Sequence, residues 1–308
     1  MPNAISRGAS ASITWIASYP RSGNTFTRIL LCNYLFGGDD RPFPINELSS
    51  RIPSENSHLL WKTLLPDLPD DTPSERQWAA RHQLFERYRR LPTDVPPRAL
   101  KTHTANLSVF GLPAFDLRPD DKVIYLTRHP LDVALSNADF NARDIGGTVD
   151  LMLQSGTFVT KDKLGVFDLR ASWRENVVSW ITATACPVLL LRYEDLRDET
   201  ALCLRQVLDF LGIPVDEQRL RHAVEQSRLS SVQRQEAAEG FGEASAGSRS
   251  GRFFRSGLSG RWRDSMPDHE AFRLADGCAD LMVRLGYNHP REVFAGAAPP
   301  YGPLALTS

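Results

Sequence analysis

Tyr19-Pro20-Arg21-Ser22-Gly23-Asn24-Thr25 joins the apolar run Ile13-Thr14-Trp15-Ile16-Ala17 to a helical pattern over Thr25 to Phe36 that carries Phe26, Ile29, Leu30 and Leu35. A turn of glycine and small hydroxyl residues at a helix N-terminus aims backbone N–H groups at one point, and the helix dipole favours an anion there. The segment therefore predicts a phosphate cradle. It is not the Walker A pattern GxxxxGK[ST], because the chain contains no Gly-Lys pair. Standing alone, it also fits a plain strand-to-helix turn capped by Thr25.

Outward from this junction the same alternation continues. Arg98 to Thr102, Lys122 to Leu126 and Val188 to Leu191 are short apolar runs that stop at polar turns. Runs of this kind, without period-two alternation, read as strands covered on both faces. Helical periodicity marks Leu131 to Phe140, Ala171 to Thr184, Thr200 to Leu211 and Pro267 to Leu285, with Gly212 and Gly286 as C-terminal stops. Strands alternating with helices predict an α/β fold on a parallel sheet. Residues 39–97 are rich in proline and read as loops around one helix near Ser74 to Arg90, an insertion that could cap a substrate. Seven of the thirteen residues from Gly240 to Arg252 are Gly or Ser, which predicts a mobile loop. No internal repeat is present.

Composition bounds the function. At 308 residues, 42% hydrophobic and 24% charged, the chain can fill a globular core. Its formal net charge of -1 supplies no global field to recruit nucleic acid or an anionic membrane, so neither partner is expected and any basic site must be local. The longest uncharged stretch, Val177 to Leu191, is 15 residues and too short to span a bilayer. Cys32, Cys186, Cys203 and Cys278 lie in hydrophobic surroundings with no metal-ligand spacing, and read as buried thiols of a reducing compartment. With no apolar signal segment at residues 1–12, a soluble cytoplasmic protein is expected.

Three further segments carry chemistry. Thr127-Arg128-His129-Pro130-Leu131-Asp132-Val133-Ala134-Leu135-Ser136 closes a strand and starts a helix. Arg128 can grip a phosphate through two N–H groups and Ser136 can add a hydroxyl, or Arg128 can simply pair with Asp132. Leu100-Lys101-Thr102-His103 ends another strand, where alternation puts Lys101 and His103 on one face. An imidazole there can take a proton from a hydroxyl while the ammonium neutralises charge on a transferred group. Arg252-Phe253-Phe254-Arg255-Ser256-Gly257-Leu258-Ser259-Gly260-Arg261-Trp262 is a basic, aromatic loop able to close over an anion.

Taken together these motifs resemble the sulfotransferases that use 3′-phosphoadenosine 5′-phosphosulfate (PAPS), in particular the soluble small-molecule branch. The family pattern reads YPKSGTTW, RNPxDVxxS and RKGxxGDW; this chain has YPRSGNTF, RHPLDVALS and RSGLSGRW in that order, with KTH and Tyr193-Glu194-Asp195-Leu196 between them. The resemblance covers roughly residues 13–287. It implies a P-loop-type central parallel sheet flanked by helices, one domain with cap-like insertions at about 39–97 and 141–168, a flexible start at 1–12 and a tail at 288–308.

The resemblance also implies roles. Arg21, Ser22, Gly23, Asn24 and Thr25 would hold the 5′-phosphosulfate, and Arg128, Ser136, Arg255, Ser256 and Gly257 the 3′-phosphate. Phe26 would stack on adenine, with Ser230 and Val232 completing that pocket and Tyr193 near the base. His103 matches the family's general base, and Lys101 and Arg21 the cations at the sulfuryl group and leaving oxygen. Arg21 stands where the family has Lys, Phe26 for Trp, His129 for Asn, Ser256 for Lys and Arg261 for Asp. The implied reaction is metal-free in-line transfer to a hydroxyl, or less readily an amine, of a small-molecule acceptor, with PAP as the other product. An ATP-dependent kinase of P-loop type and a non-catalytic nucleotide-binding protein are the alternatives on such a fold.

Overall fold

The computed structural model describes residues 11–38, 41–92, 97–156, 158–160, 167–244, 248 and 251–302. Most of the expected flexible start, residues 161–166 of the second insertion, five residues of the Gly/Ser-rich loop and the end of the tail lie outside the described residues.

Four strands make the central sheet: β1 (Thr14–Ser18), β2 (Ala99–Thr102), β3 (Lys122–Thr127) and β4 (Val188–Arg192). Their order is β2-β1-β3-β4 and every pairing is parallel. Trp15 lies opposite Leu100 on one side and Val123 on the other. The two faces of β1 explain its unbroken apolar sequence. Trp15 and Ala17 enter a cluster with Trp78, Phe85, Phe115, Trp173 and Trp180, whereas Ile16 enters the opposite cluster with Ile29, Leu30, Leu204 and Val207. The Trp15 indole meets Phe85 and Phe115 edge-on, each at 4.9 Å between centroids. At the amino edge, Asp121 accepts the Ile13 amide at 2.7 Å and is gripped through both oxygens by the buried Arg89 guanidinium.

Helices cover both faces. α1 (Asn24–Phe36) leaves β1 through the first loop, and α2 (Ser74–Arg89) supplies Trp78 and Phe85. α3 (Pro130–Phe140) starts as sequence rules require, with proline in its first turn and His129 Nδ1 accepting the Leu131 amide at 3.3 Å. α4 (Ile145–Leu153) is capped by Asp144, and α5 (Trp173–Ile181) by a Ser172–Glu175 capping box. α6 (Tyr193–Asp198) and α7 (Thr200–Leu211) follow β4, and α7 ends on Gly212 with φ 75°. α8 (Glu217–Gln226), α9 (Leu229–Glu239) and α10 (Asp268–Arg284) complete the layers.

The strands and most expected helices match within about two residues. Differences concentrate where apolar periodicity is weak. The first insertion holds a turn of 3-10 helix (Ile45–Glu47) and helices Leu48–Arg51 and His58–Leu64 besides α2, so it is not loops around one helix. α8 has only a short apolar stripe, Leu220, Ala223 and Val224, on an otherwise polar helix; its clearer signal is the Asp216 cap, which accepts the amides of Gln218 and Arg219. α5 ends at Ile181 rather than Thr184. No helix among the described residues is long and apolar enough to cross a membrane.

The junctions after β3 and β4 are locked together. Glu194, fully buried, accepts the His129 amide at 3.0 Å and the Tyr287 hydroxyl at 3.1 Å. Burial pushes its carboxyl up to about 6. His129 itself stacks on Trp262 at 5.1 Å, and burial drops its imidazole to about 3. Folding thus keeps His129 neutral while the unfolded chain protonates it below its ordinary value of 6.5. The unfolded state binds the extra proton between pH 6.5 and 3, so this group's contribution is intact above pH 6.5 and is lost as pH falls. Glu194 acts in the opposite direction between about 4.5 and 6, equally in any His129 variant. His129→Asn keeps a capping side chain; relative to it, the wild type is expected to lose about 1.4 kcal/mol of stability per pH unit below 6.5. Urea titrations of both proteins between pH 7 and 5 measure the difference, and parallel pH curves would contradict it.

Candidate active site

Each strand of the sheet delivers a polar residue at its carboxyl end, the edge where open α/β sheets bind ligands. β1 runs into Tyr19–Thr25, β2 carries Lys101 and leads to His103, β3 leads to Arg128 and β4 to Tyr193. All of these edges open on one cavity of about 810 Å³.

The first loop is held by its own side chains. Asn24 Nδ2 donates to Ile16 O at 2.8 Å and to Ser18 Oγ at 3.3 Å, pinning the start of α1 on β1. Gly23 adopts φ 103°, and a Cβ there would lie 2.8 Å from the Tyr193 ring. Glycine is thus required both by conformation and by space. Asn24 and Thr25 line the cavity, whereas Ser22 is buried with its hydroxyl unpartnered.

Arg21 departs from its expected place. Its Nε donates to Ser136 Oγ at 3.0 Å, and the guanidinium lies between the rings of Phe140 and Phe253, 4.6 Å from each. Arg255 Nη2 reaches the same Ser136 oxygen at 3.4 Å. The structure therefore groups Arg21 with Arg128, Ser136 and Arg255, the set expected for the 3′-phosphate. Its planar head, at the end of a long side chain, slots between two aromatic faces as a lysine ammonium would not. Burial, then the neighbouring Arg255 and Arg128, lower the Arg21 guanidinium to about 10.

Arg128 does not pair with Asp132. It donates to Arg21 O at 3.2 Å and to Leu258 O at 3.0 Å, and lies 4.4 Å over the Tyr193 ring. Asp132 instead accepts the amides of Gly260 and Trp262, which fixes the basic C-terminal loop on α3. Tyr193 donates its hydroxyl to Gly257 O at 3.0 Å, and Arg197 donates to the same carbonyl. Ser256 and Gly257 line the cavity there.

On the opposite strand edge, Lys101 and His103 both line the cavity, as alternation requires, while Thr102 between them turns inward to the buried Glu55. His103 Nδ1 lies 2.9 Å from Ser18 O. A ring nitrogen facing a carbonyl carries the proton, so the lone pair of the neutral imidazole is on Nε2. Lys101 Nζ donates to Glu243 Oε2 at 3.1 Å. Glu243 also pairs with the fully buried Arg28 at 2.8 Å, and Lys101 and Arg28 hold its carboxyl well below the usual carboxylate range against the opposing effect of burial.

Phe26 and Val232 line the cavity within one apolar cluster, but Ser230 is exposed and does not. The phase of α9 turns Leu229 and Val232 to the cavity instead, and Ser227 and Arg228, just before the helix, also line it. Of the aromatic residues in and near the two insertions, Phe43 and Trp61 are core residues, Phe140 faces the cavity, and the Phe158 side chain lies outside the described residues. Glu243, Asn56, His58, Arg170, Arg197 and Arg228 line the cavity without having stood out in sequence. None sits in a recurrent motif, and only the chain's path brings them here.

Glu243→Gln should leave Arg28 buried without its counter-charge and cost roughly 1–4 kcal/mol, between the values for exposed and buried pairs. Chemical denaturation at pH 7 measures it, with the gap closing in acid as Glu243 itself protonates; a variant as stable as wild type would show that the latch contributes nothing.

A family description, the sulfotransferase domain, matches residues 12–286. Mouse Sulfotransferase 4A1 is 24% identical over 221 residues, covering 70% of this chain and 64% of the relative. Bovine Sulfotransferase 1A1 is 28% identical over 180 residues, covering 56% and 58%. The chain thus spans less than two thirds of the length of these relatives. Among solved structures, retinol dehydratase in complex with retinol and PAP superposes with a TM-score of 0.58 at 18% identity, covering 92% of this chain and 84% of that one. A mouse sulfotransferase complexed with PAP gives 0.56 at 18%, covering 88% and 85%. At these identities the structural likeness establishes a shared fold.

Proposed function

This chain belongs to the sulfotransferase family, and on that premise we propose that it moves a sulfuryl group from PAPS to a hydroxyl of a small-molecule acceptor, giving a sulfate ester and PAP. The observation that carries the reading is the cluster of Arg21, Arg128 and Arg255 around Ser136. Three guanidiniums share a small, largely desolvated space, with Asp139 the nearby carboxylate, 3.4 Å from Arg255. Such a site is suited to a dianion, and a 3′-phosphate supplies one.

The residues present fit the donor. The first loop offers amides at the start of α1, Gly23 leaves the space a side chain would fill, and the buried Ser22 hydroxyl and Arg128 Nε have no protein partner. Ser22 to Thr25 would hold the 5′-phosphosulfate, the arginine cluster with Ser256 and Gly257 the 3′-phosphate, and Phe26 with Val232 the adenine. Tyr193, bonded to the Gly257 carbonyl, would steady that loop over the nucleotide. PAPS, when bound, contributes an activated sulfuryl group with a good leaving group.

The chain's own part is positioning and charge. His103, oriented by Ser18 O, takes the acceptor hydroxyl proton on Nε2. The acceptor oxygen forms its bond to sulfur as the bond from sulfur to the phosphate oxygen breaks, in line. Lys101 and the first-loop amides stabilise the charge that shifts to the sulfuryl and leaving oxygens. Four buried, unpaired thiols fit a reducing compartment such as the cytoplasm.

Calorimetric titration with PAP, adenosine 5′-phosphosulfate and ADP tests the donor assignment: PAP is expected to bind most tightly without added Mg²⁺, and a preference for ADP with Mg²⁺ would return the problem to a kinase. His103→Ala should lower turnover about 10²–10⁴-fold while PAP affinity stays within a few-fold; retained turnover removes the base assignment. Arg128→Ala should weaken PAP about 10–100-fold but adenosine 5′-phosphosulfate, which lacks the 3′-phosphate, far less. Equal losses would contradict the 3′-site.

A further inference from the structure

Arg170 lies outside every motif of the donor site, yet the structure builds it into the cavity beside the base. The buried Asn176 donates through one Nδ2 to His103 O at 3.0 Å and to Arg170 O at 2.9 Å, so a single amide ties the two backbones together. Asn176 is itself fixed by the Tyr125 hydroxyl at 2.8 Å. The next residue, Ala171, is fully buried with φ 57°, a left-handed conformation that a residue with a Cβ rarely adopts. The capping box of α5 begins immediately after it. A strained turn between a pinned carbonyl and a capped helix is a rigid mount for the Arg170 side chain, which lines the cavity.

Among the described residues that side chain has an ion contact but no hydrogen-bond acceptor. Its Nε is buried with no hydrogen-bond partner. The nearest ion contact, to Asp168 Oδ2, is 3.9 Å, too long for a hydrogen bond, and the other Asp168 oxygen accepts from Asn56. Asn56 and His58 line the same wall, and His58 Nε2 is also buried without a partner. Among the described residues Glu243 is the one carboxylate on the cavity wall, and Lys101 and Arg28 hold it. This end of the cavity therefore presents a rigid guanidinium and neutral polar groups on its wall, and the one carboxylate behind them, the buried Asp168, is hydrogen-bonded to Asn56 and not to Arg170. A sterol-like alcohol or a plain phenol offers nothing to satisfy it.

We propose that Arg170 binds a carboxylate on the acceptor, so that the acceptor class is a hydroxy acid: a hydroxyl presented to His103 and a carboxylate held by the Arg170 fork. A planar guanidinium matches a carboxylate through two parallel N–H···O bonds, which makes the contact orienting as well as attractive. The inference rests on the sulfuryl-transfer reading. The carboxylate takes no part in the chemistry; the hydroxyl loses its proton to His103 and gains the sulfuryl group as the bond to the donor phosphate breaks.

The test uses the full chain loaded with PAP and two probes, 3-(4-hydroxyphenyl)propionate and its methyl ester, titrated by calorimetry. The wild type is expected to bind the acid about 10–100-fold more tightly than the ester. Arg170→Gln should bring the acid down to the level of the ester, with PAP affinity and melting temperature unchanged, and Arg170→Lys should recover part of the preference. An ester bound as tightly as the acid, a preference that survives Arg170→Gln, or no binding of either probe at millimolar concentration overturns the proposal. PAP is titrated first and alone, and its failure to bind would remove the donor reading instead, and this one with it.

Discussion

At Gly23 the first loop passes so close to the ring of Tyr193 that only a hydrogen fits between them. This contact sets the separation between the loop after β1 and the helix after β4, two strands away in the sheet. Arg128, emerging from β3 between them, can then lie over the same ring and reach back to the Arg21 carbonyl. The basic C-terminal loop is laid on top, through the Tyr193 hydroxyl on Gly257 and the Asp132 carboxylate on Gly260 and Trp262. A larger residue at position 23 would push Tyr193 away and loosen each of these layers. The parallel sheet beneath supplies the stiffness, because both of its faces are packed and none of its four carboxyl ends can move alone.

The electrostatics follow from that crowding. Arg21, Arg128 and Arg255 come together on one side of the cavity, where burial first and the neighbouring guanidiniums second lower Arg21. Asp139, 3.4 Å from Arg255, offsets part of this repulsion, and the remaining charge suits the cluster to the anion proposed for it. Glu243 plays the compensating part at the other end. It pairs with Lys101 and Arg28 from a position after α9, on the stretch that precedes the C-terminal loop in sequence.

On the proposed reading the cavity divides into a donor half, cationic and partly aromatic, and an acceptor half that includes Arg170, Asn56 and His58. Phe43 and Trp61 are needed elsewhere, in the two apolar clusters that hold the insertion against the sheet. What is left to face the cavity is polar. The strained Ala171 is consistent with this division: a fold bears such a conformation where it fixes a neighbouring side chain, and Arg170 is that neighbour.

Strand-to-helix junctions are short, and their chemistry is written in consecutive residues. The sheet, α1, α3, the strand-to-helix junction at Tyr19–Thr25 and the shared face of Lys101 and His103 were therefore legible from the sequence itself: period, turn residues and alternation act over fewer than ten positions. Helices such as α8, held by a cap and two buried residues, gave too little pattern to find. Only the tertiary structure decided where Arg21 points, that Ser230 faces solvent while Val232 does not, and that Glu243, Arg170 and Asn56 meet the catalytic edge. Those placements join residues more than a hundred positions apart, such as Lys101 with Glu243, and Asn56 with Asp168, and a contact of that kind is set by how packed elements exclude one another rather than by any local preference of the chain.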